Sequence, residues 1–174
     1  MSTPTKERRP AIEGWFTLDD VAPQLLGSRC TTCGTVLFPR TALACPNPHC
    51  DGTEFEEAPL SRRGTVWSLT ENHYAPPAPY VAPDPFVPYT VVAVELAEER
   101  MVVLGQLADG FGPTDLRVGD EVELVLGPLY EDDEATYVVW KWQPVRAASN
   151  VTVSYLGSEA AEMKPPAGDT CASR

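Results

Sequence analysis

Four cysteines lie close together in the chain, and their spacing is that of a metal site. Cys30 and Cys33 enclose two threonines and are followed by Gly34, while Cys45 and Cys50 enclose the segment Pro-Asn-Pro-His. Zinc in structural sites takes four sulfur or nitrogen ligands in a tetrahedron, and two cysteine turns that face each other supply them. The spacing therefore predicts one zinc ion bound by all four cysteines. Because four thiolates leave no open coordination position, this zinc is expected to be structural.

Two other interpretations of the cluster stay open at this point. The second turn is longer than the first, so a ligand set that includes His49 is one alternative, and an empty or redox-active site is the other.

The N-terminus is polar, and no apolar run approaches the roughly 18 residues that span a bilayer. This predicts a cytoplasmic protein, in which clustered cysteines favour metal binding over disulfides. Cys171 stands apart and is expected to be a free surface thiol.

The charge of the chain argues against nucleic acid as a ligand. Binding of single-stranded nucleic acid is the main alternative function from another class, since small zinc-binding and β-barrel domains commonly have it. The net charge, however, is -12. Between residues 89 and 143 only Arg100, Arg117 and Lys141 are basic. Because polyanion binding depends on such side chains, we expect no nucleic-acid partner and a neutral or basic protein partner instead.

The body of the chain has the pattern of a small all-β domain. Its 18 prolines and 12 glycines predict many turns, and alternation such as Val138, Trp140 and Trp142 on one face predicts strands. The predicted strands cover 64–73, 89–96, 101–108, 121–126 and 137–144, with turns at 97–100 and 118–120. Five short antiparallel strands suit a closed barrel. The predicted fold class is mainly β, with an N-terminal rubredoxin-like zinc ribbon followed by a five-stranded OB-fold barrel.

The chain divides into four predicted segments. Residues 1–26 form an N-terminal arm and apolar lead-in, 27–58 the zinc ribbon, 59–146 the barrel, and 147–174 a tail whose end is expected to be disordered. Residues 1–10 show no apolar periodicity and are expected to be mobile. The lead-in, which includes Trp15 and Phe16, must pack against something and is a candidate partner interface.

A proline-rich loop over 75–88 follows the first predicted barrel strand. Its prolines remove backbone donors and forbid both helix and sheet pairing. Loops of this length are usually functional or disordered. Tyr74, Tyr80 and Phe86 interrupt the prolines, which favours docking of the loop onto a surface.

Side chains suited to catalysis are scarce. Nucleophilic catalysis requires a nucleophile, a base and an orienting group, and the chain has only two histidines, of which His49 lies inside the cysteine cluster. His73 is the sole candidate base, with a structural or solvent-exposed role as the alternative. The acidic run 131–134 lacks ligand spacing and is expected to be a solvated loop or a contact for basic residues of a partner. We predict no catalytic site in this chain.

Several motifs taken together resemble one known family. They are GSRCTTCG at 27–34, FP at 38–39, CP at 45–46, SRRGTVWS at 61–68, PYTVVAVEL at 88–96 and VGDEVE at 118–123. Over about residues 14–144 the chain resembles the DUF35 family of zinc-ribbon and OB-fold proteins. The lead-in EGWFT at 13–17, the NP insertion at 47–48 and the YEDDE segment at 130–134 are similar to the subgroup that accompanies thiolase-like enzymes.

The resemblance implies a non-catalytic accessory subunit of a thiolase-superfamily enzyme that cleaves a carbon-carbon bond in an acyl-CoA thioester. The first implied reaction is retro-aldol shortening of a steroid side-chain CoA ester, and the alternative is thiolysis of an aromatic 2-acylsuccinyl-CoA. The implied partner is a thiolase-like, lipid-transfer-protein-type subunit, in a heterotetramer around a thiolase dimer. Arg62 and Arg63 are candidates for contact with CoA phosphates, with a solvated strand entry as the alternative. Further candidates for acyl-CoA or partner contact are His73, Tyr74, Tyr80 and Phe86.

Overall fold

Nine strands and one 3-10 helix make up the regular structure of residues 6–40, 43–77 and 81–145, which are those that the computed structural model describes. The strands are β1 Glu7–Pro10, β2 Leu26–Cys30, β3 Val36–Leu37, β4 Phe55–Pro59, β5 Arg63–Asn72, β6 Tyr89–Leu96, β7 Val102–Leu107, β8 Glu121–Glu131 and β9 Ala135–Pro144. The 3-10 helix spans Pro113–Asp115, between β7 and β8. No helix in these three ranges is long and apolar enough to cross a bilayer.

Strands β5 to β9 close into a barrel. β5, β6 and β7 pair antiparallel in sequence order, and β8 pairs antiparallel with both β5 and β9. The last seam is the short parallel pairing of β7 with β9 at Gln106↔Lys141 and Leu107↔Trp142. Just before this pairing, the indole N–H of Trp140 donates to the carbonyl oxygen of Leu104 at 2.8 Å. The predicted fold class, a zinc ribbon followed by a five-stranded barrel, is confirmed.

The barrel interior follows the period-2 alternation of the strands. Val92, Val94, Val122, Leu124 and Trp142 are each fully buried, since alternate side chains of a strand point to one face. The Trp142 indole lies so close to β7 that a Cβ added at Gly105 would stand 2.8 Å from its Cδ1 and Nε1 atoms. Gly105 thus makes room for the largest side chain of the core.

The hairpin of β8 and β9 is longer than the sequence pattern predicted. The strand expected over 121–126 continues to Glu131, because a bulge between Pro128 and Tyr130 lets the pairing with β9 pass the proline. Tyr130 and Tyr137 then stack across the hairpin, with ring centroids 4.6 Å apart. At its end the Asp132 carboxylate accepts the N–H groups of Glu134 and Ala135, both at 2.8 Å. The predicted acidic loop is therefore a tight, ordered turn.

The expectation that residues 1–10 are mobile is wrong for Glu7–Pro10. This segment is β1, which pairs parallel with β9 from Glu7↔Ala135 to Pro10↔Val138. β9 has free backbone groups there because its pairing with β7 begins only at Lys141. Lys6 adds a hydrogen bond to Glu131 at 3.2 Å, and Arg9 lies 3.6 Å from Glu134. A strand edge elsewhere in the fold, invisible to local periodicity, orders the arm.

The apolar lead-in packs within the molecule. Phe16 and Leu25 form an isolated antiparallel bridge and are both buried. Trp15 stacks on Trp140 of the barrel, and Phe38, which follows β3 of the ribbon, meets both rings edge-on. The lead-in therefore joins the ribbon to the barrel. The predicted tail at 147–174, with Cys171, lies outside the described residues.

Candidate metal centre and the surfaces around it

The metal site is built on a three-stranded sheet in which β2 lies between β3 and β4. Cys30 ends β2, and the turn that follows returns through the Gly34 N–H, which donates to the Cys30 carbonyl at 2.8 Å. Gly34 has a φ of 76°, a conformation that glycine adopts without steric cost. The second turn is held by the Cys50 N–H, which donates to the Asn47 carbonyl at 2.9 Å. Each cysteine pair thus sits on its own backbone turn.

The four sulfur atoms converge to the dimensions of a zinc site. All four Sγ atoms lie within 4.8 Å of one another, with Cys33 and Cys45 at 3.5 Å and Cys30 and Cys50 at 3.8 Å. A tetrahedron with zinc-sulfur bonds of about 2.3 Å has edges of about 3.8 Å. The ligand group found among the described residues consists of these cysteines and does not include His49. The structure thereby favours the four-cysteine prediction over the alternative with His49.

Hydrogen bonds to the sulfur atoms favour the thiolate form, which is the form that binds a metal ion. The Thr35 hydroxyl and N–H lower the pKa of Cys33 to about 6. At Cys50 the Gly52 N–H favours the thiolate, but burial and the three neighbouring cysteines together raise the pKa to about 12. Four adjacent thiolates repel one another, and a divalent cation at their centre removes that repulsion. Gly52 is required here, because a Cβ at this position would stand 2.8 Å from the Cys30 sulfur.

Arg62 and Arg63, the predicted CoA-phosphate contacts, point to different partners. Arg62 donates from Nη2 to the Val21 carbonyl at 3.1 Å, and its buried Nε has no partner among the described atoms. Arg63 lies 3.5 Å from Glu121 and 3.7 Å from Glu123 across the β5–β8 pairing. Contact of either arginine with CoA stays a prediction.

The aromatic candidates lie at the end of β5 and in the loop that follows. His73 Nε2 is 2.9 Å from Glu71 Oε2 on the surface, and Tyr74 is 70% exposed. Phe86 contacts Tyr89 with ring centroids 6.4 Å apart. Tyr80 lies outside the described residues. Their contact with acyl-CoA or a partner stays a prediction.

Trp15 and Phe16 face the interior of this chain. Phe16 is only 4% exposed and meets Trp140 edge-on, with ring centroids 5.8 Å apart. Its ring therefore offers little surface to another protein. Trp15 is half-buried, and a partner contact through its remaining surface stays a prediction.

The sequence interpretation missed two exposed apolar side chains, Trp67 and Leu104, which are 64% and 60% exposed. The signal was present, because Val66 and Val103 face the core and their neighbours in a strand must face outward. Trp67 is also the extra residue of the bulge between Val66 and Ser68, where the register with β6 shifts.

The fold and the site together define a two-part protein, a four-cysteine zinc ribbon followed by an OB-fold barrel. Residues 21–56 match the family described as "ChsH2, rubredoxin-like zinc ribbon domain". Residues 57–127 match "ChsH2, C-terminal OB-fold domain". The chain belongs to this ChsH2-type DUF35 family, and its cysteine cluster is the zinc site of the ribbon.

Curated relatives cover most of the chain. A "DUF35 domain-containing scaffold protein" of Methanocaldococcus jannaschii is 36% identical over 70% of this chain and 82% of its own length. The "Benzoylsuccinyl-CoA thiolase subunit BbsA" of Thauera aromatica is 33% identical over 73% of this chain and 81% of its own length. The protein of the same name from Geobacter metallireducens is 33% identical over 81% and 92% of the two chains.

A solved structure with a similar fold is also found. A chain of the "Ltp2-ChsH2(DUF35) aldolase" superposes with a TM-score of 0.54 at 29% sequence identity. The superposition covers 78% of this chain and 98% of that one.

Proposed function

We propose that this chain is a non-catalytic accessory subunit of a thiolase-superfamily enzyme that cleaves a carbon-carbon bond in an acyl-CoA thioester. The observation that carries the proposal is the similarity, over 98% of its length, to a chain of an aldolase named for two components, Ltp2 and ChsH2(DUF35). The two relatives named as thiolase subunits support the same role. The zinc in this role holds the ribbon in shape, because four thiolates leave it no site for substrate.

The reaction we propose for the complex is retro-aldol cleavage, and the family resemblance suggests a steroid side-chain CoA ester as substrate. In this step the β-hydroxyl group of the acyl chain loses its proton and becomes a carbonyl. The bond between Cα and Cβ breaks, and Cα takes up a proton. The products are a ketone and a shortened acyl-CoA, and no oxidant, reductant or water is consumed. The base and acid for these transfers belong to the thiolase-like subunit.

Thiolysis is the second candidate, favoured by the relatives named as benzoylsuccinyl-CoA thiolase subunits. There the thiol of a second CoA loses its proton and attacks a β-keto group, the bond between Cα and Cβ breaks, and Cα takes up a proton. Two CoA thioesters result. The two reactions differ in one requirement that can be measured. Thiolysis consumes free CoA, and retro-aldol cleavage does not.

Co-production with thiolase-like proteins encoded in the same genome tests the role. The proposal expects one complex in size-exclusion chromatography, with two copies of each subunit by sedimentation, and cleavage only by that complex. Separate elution of the two proteins, or acyl-CoA cleavage by the purified chain alone, would contradict it.

The purified complex then separates the two reactions. A β-hydroxyacyl-CoA with a steroid side chain should be cleaved without added CoA. A β-ketoacyl-CoA that is cleaved only when CoA is supplied would indicate the thiolase instead. Cleavage of a short-chain β-hydroxyacyl-CoA at the same kcat/KM as the steroid ester would remove the steroid from the proposal.

A further inference from the structure

The outer face of β5, β6 and β7 carries large apolar side chains that are exposed. Cross-strand pairing places Ser68, Ala93 and Leu104 in one row. Thr70 and Val91 form the next row. Trp67, at the bulge of β5, lines the same surface. We call these six residues the outer patch: Trp67, Ser68, Thr70, Val91, Ala93 and Leu104.

The outer patch is uncharged and concave, and its two largest apolar side chains are exposed. Trp67 and Leu104 flank a depression of about 220 Å³, and Ala93, 7% exposed, lies on its floor. A second depression of about 260 Å³ shares Val91 and Leu104 and extends to Tyr89. Exposed apolar side chains that lie next to one another in a depression commonly mark an interface.

Charge decides what kind of ligand fits this face. None of the six residues is charged, although 22% of the chain is. Ion pairs lie toward opposite ends of the strands, His73 with Glu71 and Arg100 with Glu95. A nucleic-acid groove needs basic side chains beside its aromatic groups. An uncharged centre with an exposed tryptophan is instead the composition of the core of a protein interface.

The net charge also argues against a second copy of this chain as the occupant. Two copies would bring two charges of -12 together, and such like-charge repulsion opposes association. A neutral or basic surface on a different protein has no such cost.

The described residues of the loop after β5 carry further exposed apolar side chains. Val87 and Tyr74 are 60% and 70% exposed, and Phe86 contacts Tyr89, which lines the second depression. The ring of each proline in the loop fixes the φ angle of that residue. The loop therefore has less backbone freedom to lose when a partner covers it.

We infer that the outer patch is the surface on which the thiolase-like subunit docks, with Trp67 and Leu104 as its central contacts. The inference rests on the proposed function for the identity of the partner. It adds that the barrel, through the outer face of β5 to β7, supplies the main apolar contact. The ribbon and lead-in then act by stabilising the barrel, since Trp15 and Phe38 pack on the ring of Trp140.

The test measures affinity for the co-produced thiolase-like subunit with variants of full-length chain. Trp67→Ser and Leu104→Ser should each raise Kd about 30-fold, which is the loss expected at the centre of an interface. Trp67→Phe should keep most of the affinity. Val118→Ser removes a side chain that is 67% exposed outside the outer patch, and it should change Kd less than about threefold. Zinc content and thermal unfolding identify any variant that has lost its fold.

Hydrogen exchange gives a second readout that needs no variant. On complex formation, amides of 67–70, 91–93 and 102–104 should gain protection, while those of 117–120 should not. If the wild-type chain binds no thiolase-like subunit, the proposed function fails and the inference with it. If wild-type and outer-patch variants bind equally well, only the inference is overturned. It is also overturned if the chain alone dimerises and Trp67→Ser abolishes the dimer, because the patch then belongs to a second copy.

Discussion

Trp15 stacks on Trp140, with ring centroids 6.0 Å apart and 29° between the ring planes. The contact joins the lead-in to the last barrel strand, and Phe38 from the ribbon contacts both rings edge-on. One aromatic cluster thus holds together three segments that are far apart in the chain.

Loss of this cluster should weaken the whole fold. Trp15→Ala is expected to lower the free energy of unfolding by about 2–3 kcal/mol. This is less than a fully buried tryptophan would lose, because Trp15 is half-buried. Urea unfolding with zinc in excess measures the change. Leu18→Ala, at a neighbouring position that is 50% exposed, serves as the control and should change stability by less than about 0.5 kcal/mol. Equal losses in both variants would contradict a bracing role for Trp15.

Zinc binding should depend on the four cysteines and not on the adjacent histidine. Cys45→Ser and Cys50→Ser are each expected to reduce bound zinc well below one ion per chain, because each removes a ligand of a closed tetrahedron. His49→Ala and Cys171→Ser should keep a full equivalent. Elemental analysis of purified protein measures the metal. Loss of zinc in His49→Ala would restore the ligand set that includes the histidine.

Asp109 should contribute to stability because it pairs with the buried Lys141. The Lys141 side chain is 5% exposed, and its Nζ contacts Asp109 Oδ1 at 2.6 Å. Asp109→Asn removes the charge that compensates this ammonium group, and we expect a loss of about 1–2 kcal/mol, reduced from the fully buried case because Asp109 is 65% exposed. Chemical denaturation measures the loss.

Two further variants separate pairing from other effects at this position. In a Lys141→Met background, Asp109→Asn should cost almost nothing, since no buried charge is left unpaired. Glu95→Gln breaks the more exposed pair with Arg100 and should cost less than about 0.5 kcal/mol. An unchanged penalty in the Lys141→Met background would show that Asp109 acts independently of Lys141.

The turn between β8 and β9 should contribute to acid sensitivity. The N–H groups of Ala135 and Glu134 lower the pKa of Asp132 below its ordinary value. Because the folded pKa lies below the unfolded one, Asp132 stabilises the fold at pH values above the unfolded pKa of about 3.9. This contribution disappears as the pH falls through the folded pKa.

Asp132→Asn keeps the accepting oxygen and removes the charge. The variant should therefore melt below wild type at pH 6, and the difference in Tm should shrink as the pH falls below about 3.9. Asp133→Asn, at the next position of the same turn, is the control and should show no such convergence. A constant difference in Tm at all pH values would exclude the charge as the cause.

Local patterns in the sequence were sufficient for the elements that depend on near neighbours. Alternation of apolar residues predicted the barrel strands, and the spacing of Cys30, Cys33, Cys45 and Cys50 predicted the metal site. Both patterns express short-range geometry, because side chains of a strand alternate at period 2 and a cysteine turn spans a few residues.

Contacts between segments that are distant in the chain could be recognised only in the tertiary structure. β1 is ordered by a stretch of β9 that β7 leaves unpaired, and nothing within residues 7–10 reveals that edge. Phe16 is buried because its segment packs on Trp140, whereas Trp67, equally apolar, is 64% exposed because no described segment covers it. Composition alone cannot separate two such rings, since burial depends on what the rest of the chain places against each of them.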